Sequence, residues 1–104
     1  MPKKLPPIHP GEILREEFMI PLGLSSNALA RAIGVTPARV NDIARERRGI
    51  TADTALRLAR YFNTSHEFWM NLQAHYDVEM AMDTAGKAIA HIQPRATALE
   101  AVTA

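Results

Sequence analysis

The chain has no cysteine, which excludes disulfides and thiolate metal sites and suits a reducing compartment. Glycine is sparse, five in 104 residues, and no glycine-rich loop of the kind that cradles phosphates is present. No apolar run approaches the roughly 20 residues needed to cross a bilayer. The two lysines of MPKKLPPIHP are followed by no apolar stretch, so no signal peptide is read there, and a cytoplasmic protein with no membrane contact is expected. The four histidines, His9, His66, His75 and His91, are never four residues apart, so no helical metal pair is expected. Capping or packing is the better role for His66 and His75. Glu16 and Glu17 lack a nucleophile or third partner. No catalytic residue, metal or cofactor is expected.

What is present is one domain's worth of chain with 47% hydrophobic and 22% charged residues, ordinary for a globular fold. The net charge of +1 is uninformative, but its distribution is not. Residues 1–64 hold ten Lys or Arg against six Asp or Glu, and residues 65–104 hold two against five, a balance of +4 against −3. A basic front and an acidic back suit a domain that meets phosphates on one side.

Helical periodicity recurs along the chain with no strand signal and no internal repeat. Residues 1–9 carry three prolines and form an N-terminal arm, where Lys3 and Lys4 either touch a phosphate backbone or are solvated. His9-Pro10-Gly11-Glu12 opens a helix over 11–20 with Ile13, Leu14 and Phe18 on its apolar face, ended by Pro21. Leu29, Ala30 and Ile33 mark a second helix, closed by Gly34 in the left-handed conformation. Thr36 and Pro37 start a third as N-cap and first-turn proline, with Val40, Ile43 and Ala44 inward. Gly49 closes it and Ile50 returns to the core. Thr51 caps a fourth, with Ala55, Leu58, Ala59 and Phe62 inward, Arg57 and Arg60 outward, and Asn63 as left-handed cap. Thr64 and Ser65 cap a fifth over 65–82, striped by Trp69, Leu72, Tyr76 and Met80 with Phe68 beside them. Such a stripe either closes the domain's own core or packs on a second copy; dimerisation is the preferred reading. In the tail, 83–104, part of 83–92 can be helical, Ile89, Ile92 and Leu99 are scattered, and the last ten residues look weakly ordered.

The second and third helices have the spacing of a helix-turn-helix, whose second helix reads DNA. With Val40, Ile43 and Ala44 inward, the outward centre falls on Ala38, Asp42 and Arg45, flanked by Arg39 and Asn41. Thr36, Pro37 and Ala38 lie nearest the groove. Ala38 suits a thymine methyl, Asn41 adenine, and an arginine guanine. Asp42 either accepts from a cytosine amino group or pairs with Arg39 or Arg45. Phosphate contacts are expected from the cap of the first helix, Ser26 and Asn27, and from Arg31, Arg47 and Arg48.

The stretch LSSNALARAIGVTPARVNDIARERRGIT through TALRLARYF resembles the phage-repressor (Cro-like) helix-turn-helix superfamily. His9-Pro10-Gly11-Glu12, RRGITADTALRLARYF and TSHEFWMNLQAHYD together resemble the HigA-type antitoxins, over roughly residues 8–80. The resemblance implies an all-α, five-helix domain over 10–82 with a C-terminal extension. It also implies a homodimer on a palindromic double-stranded operator, repression of its own operon, and a RelE-like mRNA-cleaving toxin as partner. It carries Thr36, Ala38, Arg39, Asn41, Asp42 and Arg45 over as base readers, and the helix of Phe68, Trp69, Leu72, Tyr76 and Met80 as the dimer contact. A solitary regulator without a toxin is the alternative reading.

Overall fold

The computed structural model describes residues 5–96. Lys3, Lys4 and Leu99, and the end of the tail, lie outside the described residues. Within them the chain is all-helical: α1 spans 10–22, α2 Ser26–Ile33, α3 Pro37–Ala44, α4 Ala52–Phe62 and α5 His66–Ala90. No described helix is long and apolar enough to cross a membrane.

Every helix starts on a side-chain cap. His9, Ser25, Thr36, Thr51 and Ser65 stand in extended backbone and accept from the N–H of Gly11, Ala28, Arg39, Thr54 and Phe68. Each bond satisfies one of the N–H groups that a helix start leaves unpaired. The first four helices also end alike. Residues Gly23, Gly34, Glu46 and Asn63 have positive φ, and the next N–H bonds to a carbonyl five residues back: Leu24 to Met19, Val35 to Ala30, Arg47 to Asp42 and Thr64 to Ala59. This is the Schellman closure. Gly49 is therefore not what closes α3. Glu46 takes the left-handed position, while a Cβ at Gly49 would meet the Gln73 side chain at 2.8 Å, so that glycine makes room for α5.

Pro21 does not end α1. Between the α-helical turns Pro10–Ile13 and Ile20–Leu22, residues Leu14–Met19 wind in the wider π register, with the Ile20 N–H bonded to the Arg15 carbonyl. A proline deep in a helix lacks a donor and presses its ring on the carbonyl four residues back. The wider turn relieves that contact, and the helix runs on to Gly23.

Leu14, Leu29, Val40, Ile43, Ile50, Leu58 and Trp69 form the core, each at 3% exposure or less. Trp69 is fully buried, and its indole N–H donates to Thr64 Oγ1 at 2.8 Å. Phe18, Phe62 and Phe68 surround it, with ring centroids 5.0, 6.3 and 5.0 Å away. The first half of α5 thus closes the chain's own core, which removes Trp69 from the expected dimer surface. Leu72 and Tyr76 are half-buried on the same side, whereas Phe68 and Met80 are exposed.

Beyond that core α5 continues to Ala90, so the helix expected over 65–82 runs on without interruption into the part of 83–92 expected to be helical. Val78, Met82 and Ile89 are 61, 55 and 46% exposed. With Ala85 they follow spacings of four, three and four along one line. Val78 stands nine residues from Trp69, about two and a half turns, so this line runs down the opposite side of the helix. The projecting helix contributes to a radius of gyration of 17.8 Å, against roughly 13 Å for a compact chain of this length.

Candidate nucleic-acid interface

The pair α2 and α3 presents a surface whose shape is set from behind by two arginines. Arg57 on α4 donates to the carbonyls of Ile33 and Gly34, at 2.9 and 3.2 Å, at the C-terminal end of α2. Arg15 on α1 donates to the Ala44 carbonyl and, at 3.3 Å, to Glu46. The C-terminal ends of both motif helices are thereby capped by a cation from outside the motif, where the helix dipole favours positive charge. Pairing with Arg15 also explains why a glutamate occupies the left-handed position after α3.

The N-terminal face of α3 is open. Thr36, Pro37 and Ala38 are exposed, and Thr36 Oγ1 accepts from the Arg39 N–H at 3.2 Å. Its own O–H remains available as a donor. Asn41 and Asp42 are half-buried and Arg45 is exposed. Asp42 pairs with Arg48 at 3.6 Å, not with Arg39 or Arg45. Arg39 instead donates to Asp53 at 3.1 Å, across to the first turn of α4.

Of the expected phosphate contacts, Asn27 is exposed at the start of α2 and Ser26 is half-buried beside it. The Ala28 N–H is satisfied by Ser25 Oγ at 3.0 Å and the Leu29 N–H by the Ser25 carbonyl; the N–H groups of Ser26 and Asn27 precede these on the helix start. Arg31 and Arg47 are exposed and, among the described residues, make no ion pair. Arg48 is half-exposed in its pair with Asp42. The open basic groups at this corner are therefore Arg31, Arg45 and Arg47.

The histidines fall differently from expectation. His66 and His75 are exposed, beside Glu67 and Glu79, and among the described residues neither makes a capping hydrogen bond. His9 is 4% exposed: its Nδ1 accepts the Gly11 N–H at 2.8 Å, and its ring meets Tyr76 edge-on at 4.8 Å. Burial lowers its pKa, against partial opposition from Glu46 and Asp77. Sequence reasoning placed His9 at the start of α1 and Arg57 outward on α4 but gave neither a partner, and it missed Arg15, Asp53 and Gln73. Gln73 accepts the Ile50 N–H at 2.6 Å and donates to Asp77 at 2.9 Å, pinning the loop after α3 to α5.

Comparison with known proteins bears on this surface. Residues 14–69 match the helix-turn-helix family model. Virulence-associated protein I of Dichelobacter nodosus is 60% identical over 78 residues, 75% of this chain and 72% of that protein. Antitoxin HigA-1 of Vibrio cholerae is 38% identical over 73 residues, 69% of this chain and 68% of that protein. The Pseudomonas aeruginosa antitoxin HigA, solved with the higBA promoter, superposes with a TM-score of 0.82 at 56% identity, over 85% of this chain and 97% of that one.

Proposed function

The chain belongs to the helix-turn-helix family, among the HigA-type antitoxins, and from that premise we propose that it is a DNA-binding repressor that grips its operator with α3. The observation that carries this reading is the open N-terminal face of α3, Thr36 to Ala38, bordered by Arg45 and Arg47, which make no ion pair among the described residues. Asn41 and Arg39 supply side chains that pair bidentately with adenine and guanine edges. Arg45 and Asp42 complete the base-reading set, with Asp42 aligned by Arg48. Arg31, Arg47, Arg48 and the exposed start of α2 at Ser26 and Asn27 hold the phosphates.

Two further parts belong to the proposal. The protein acts as a homodimer, so that two copies of α3 reach half-sites about one DNA turn apart, ~34 Å. It also neutralises a RelE-like mRNA-cleaving toxin encoded beside it, as membership among antitoxins suggests.

Titration of operator and random duplexes at several salt concentrations tests the DNA reading. Asn41→Ala should lower the preference for operator over random duplex by about tenfold or more, given ~1–3 kcal/mol per bidentate pair. Arg47→Ala should weaken both duplexes alike and reduce the salt slope by about one. Unchanged preference in Asn41→Ala and Arg39→Ala together would remove α3 from the base-reading role. Co-expression with the adjacent reading frame tests the toxin: growth arrest by that product, unrelieved by this chain, would leave a solitary regulator.

A further inference from the structure

We propose that Asp53 is a specificity-positioning residue, holding the Arg39 guanidinium in the pose from which it reads a base edge. This rests on the reading of α3 as the base reader. The connection is continuous. Asp53 Oδ2 accepts from Arg39 at 3.1 Å and from Arg57 Nε at 2.9 Å, and Arg57 is itself fixed to the carbonyls of Ile33 and Gly34. The end of α2, α4 and the flank of α3 are thereby tied to one side chain of the reading face.

Stability does not account for this arrangement. The side chains of Arg39, Asp53 and Arg57 are 35, 57 and 41% exposed, and ion pairs so exposed contribute little to folding. Binding strength does not account for it either, because a carboxylate beside the phosphate-facing arginines opposes DNA. Arg57 and then Arg39 hold the Asp53 pKa below its ordinary value, so the carboxylate stays ionised. What remains is geometry. A guanidinium is a planar fork of five N–H donors. One N–H of Arg39 engages Asp53 and the others stay available for a guanine edge. Fixing the fork in advance reduces the ordering cost of the specific contact, and it keeps Arg39 from swinging to a phosphate on any sequence. Asp53 thus trades general affinity for discrimination.

The test is competition binding of the full chain against the operator and a set of single base-pair variants, at two salt concentrations. Asp53→Ala should lower the preference 10–100-fold at the base pairs that Arg39→Ala also affects. It should tighten binding to random duplex about threefold or more and steepen the salt slope by about one, since a negative charge leaves. The double variant should discriminate no worse than Arg39→Ala alone. A merely structural role would instead weaken specific and random binding together and lower the thermal midpoint. If Asp53→Ala unfolds, Asp53→Asn, which keeps an acceptor without the charge, should show the same localised loss at threefold or more. Preference within twofold of wild type in the folded variant, or loss at base pairs insensitive to Arg39→Ala, overturns the proposal. If Arg39→Ala itself leaves the preference intact while Asn41→Ala abolishes it, Arg39 is not a reader and Asp53 has nothing to position. If neither variant matters, the reading of α3 has failed.

Discussion

At the scale of single residues, His9 carries a consequence that its place in the sequence conceals. It is the cap of α1, its Nδ1 accepts the Gly11 N–H, and its ring is buried against Tyr76. That bond requires an unprotonated Nδ1. Burial lowers its pKa below the ordinary 6.5, while Glu46 and Asp77 pull it up and Arg15 adds to the lowering. The folded chain therefore takes up this proton at lower pH than the unfolded chain does. Below about pH 6.5 the unfolded state binds more protons, so the contribution of His9 is fully present above that pH and diminishes as pH falls toward the folded value. Denaturant midpoints measured from pH 8 to pH 5 should decline across that window. His9→Asn, which keeps a capping oxygen, should show a shallower decline; an equal slope in both proteins would assign the dependence to other groups.

At the scale of elements, Gly11 shows how α1 is seated. A Cβ there would lie 1.7 Å from the Ile43 carbonyl oxygen, so α1 packs against the backbone of α3 with no room for a side chain. Gly11→Ala must separate the two helices. A loss of about 3 kcal/mol or more is expected, beyond ordinary overpacking, or roughly 12 °C or more in Tm. A variant that melts within about 2 °C of wild type would show that α3 has slack there. Much of the rest of this architecture was legible beforehand because its determinants are local. Thr36-Pro37, Thr51, Gly34 and Asn63 act within one turn of the helix they start or stop, and periodicity places Val40, Ile43 and Leu58 inside. What the sequence conceals is mostly non-local. Glu46 in place of Gly49 depends on Arg15, 31 residues away, and the continuation past Pro21 depends on a change of hydrogen-bond register. The partners of Arg39 and Asp42 were decided by how α4 and the loop after α3 come together. Trp69 was misplaced because α5 carries two apolar lines on opposite sides, and spacing alone does not say which one meets the core.

At the scale of the whole molecule, that second line is the surface on which the proposed homodimer is expected to join. The chain divides into a basic front on α2 and α3 and an acidic helix that projects behind, with Glu67, Asp77, Glu79 and Asp83 against Lys87 along α5. A helix with a half-exposed apolar line outside its own core is costly to leave in water, at roughly 25 cal/mol per Å² of apolar surface. A two-fold pairing would bury the same line on both copies. The proposed homodimer is accordingly expected to join through Val78, Met82, Ala85 and Ile89, while Trp69 serves the core and Met80 lies on the Trp69 side of the helix. The two roles respond oppositely to substitution. Met82→Glu with Ile89→Glu should yield a folded monomer with wild-type helicity and Tm within a few degrees, because neither residue touches the core. Trp69→Ala should cost about 3–5 kcal/mol of stability in each copy. Light scattering coupled to size-exclusion chromatography separates them. The double glutamate variant should also lose operator affinity by tenfold or more while binding a half-site duplex as wild type does, since each monomer keeps an intact α3. A double variant that remains dimeric would place the join elsewhere, and one that is monomeric yet binds the full operator undiminished would show that two linked readers are not required.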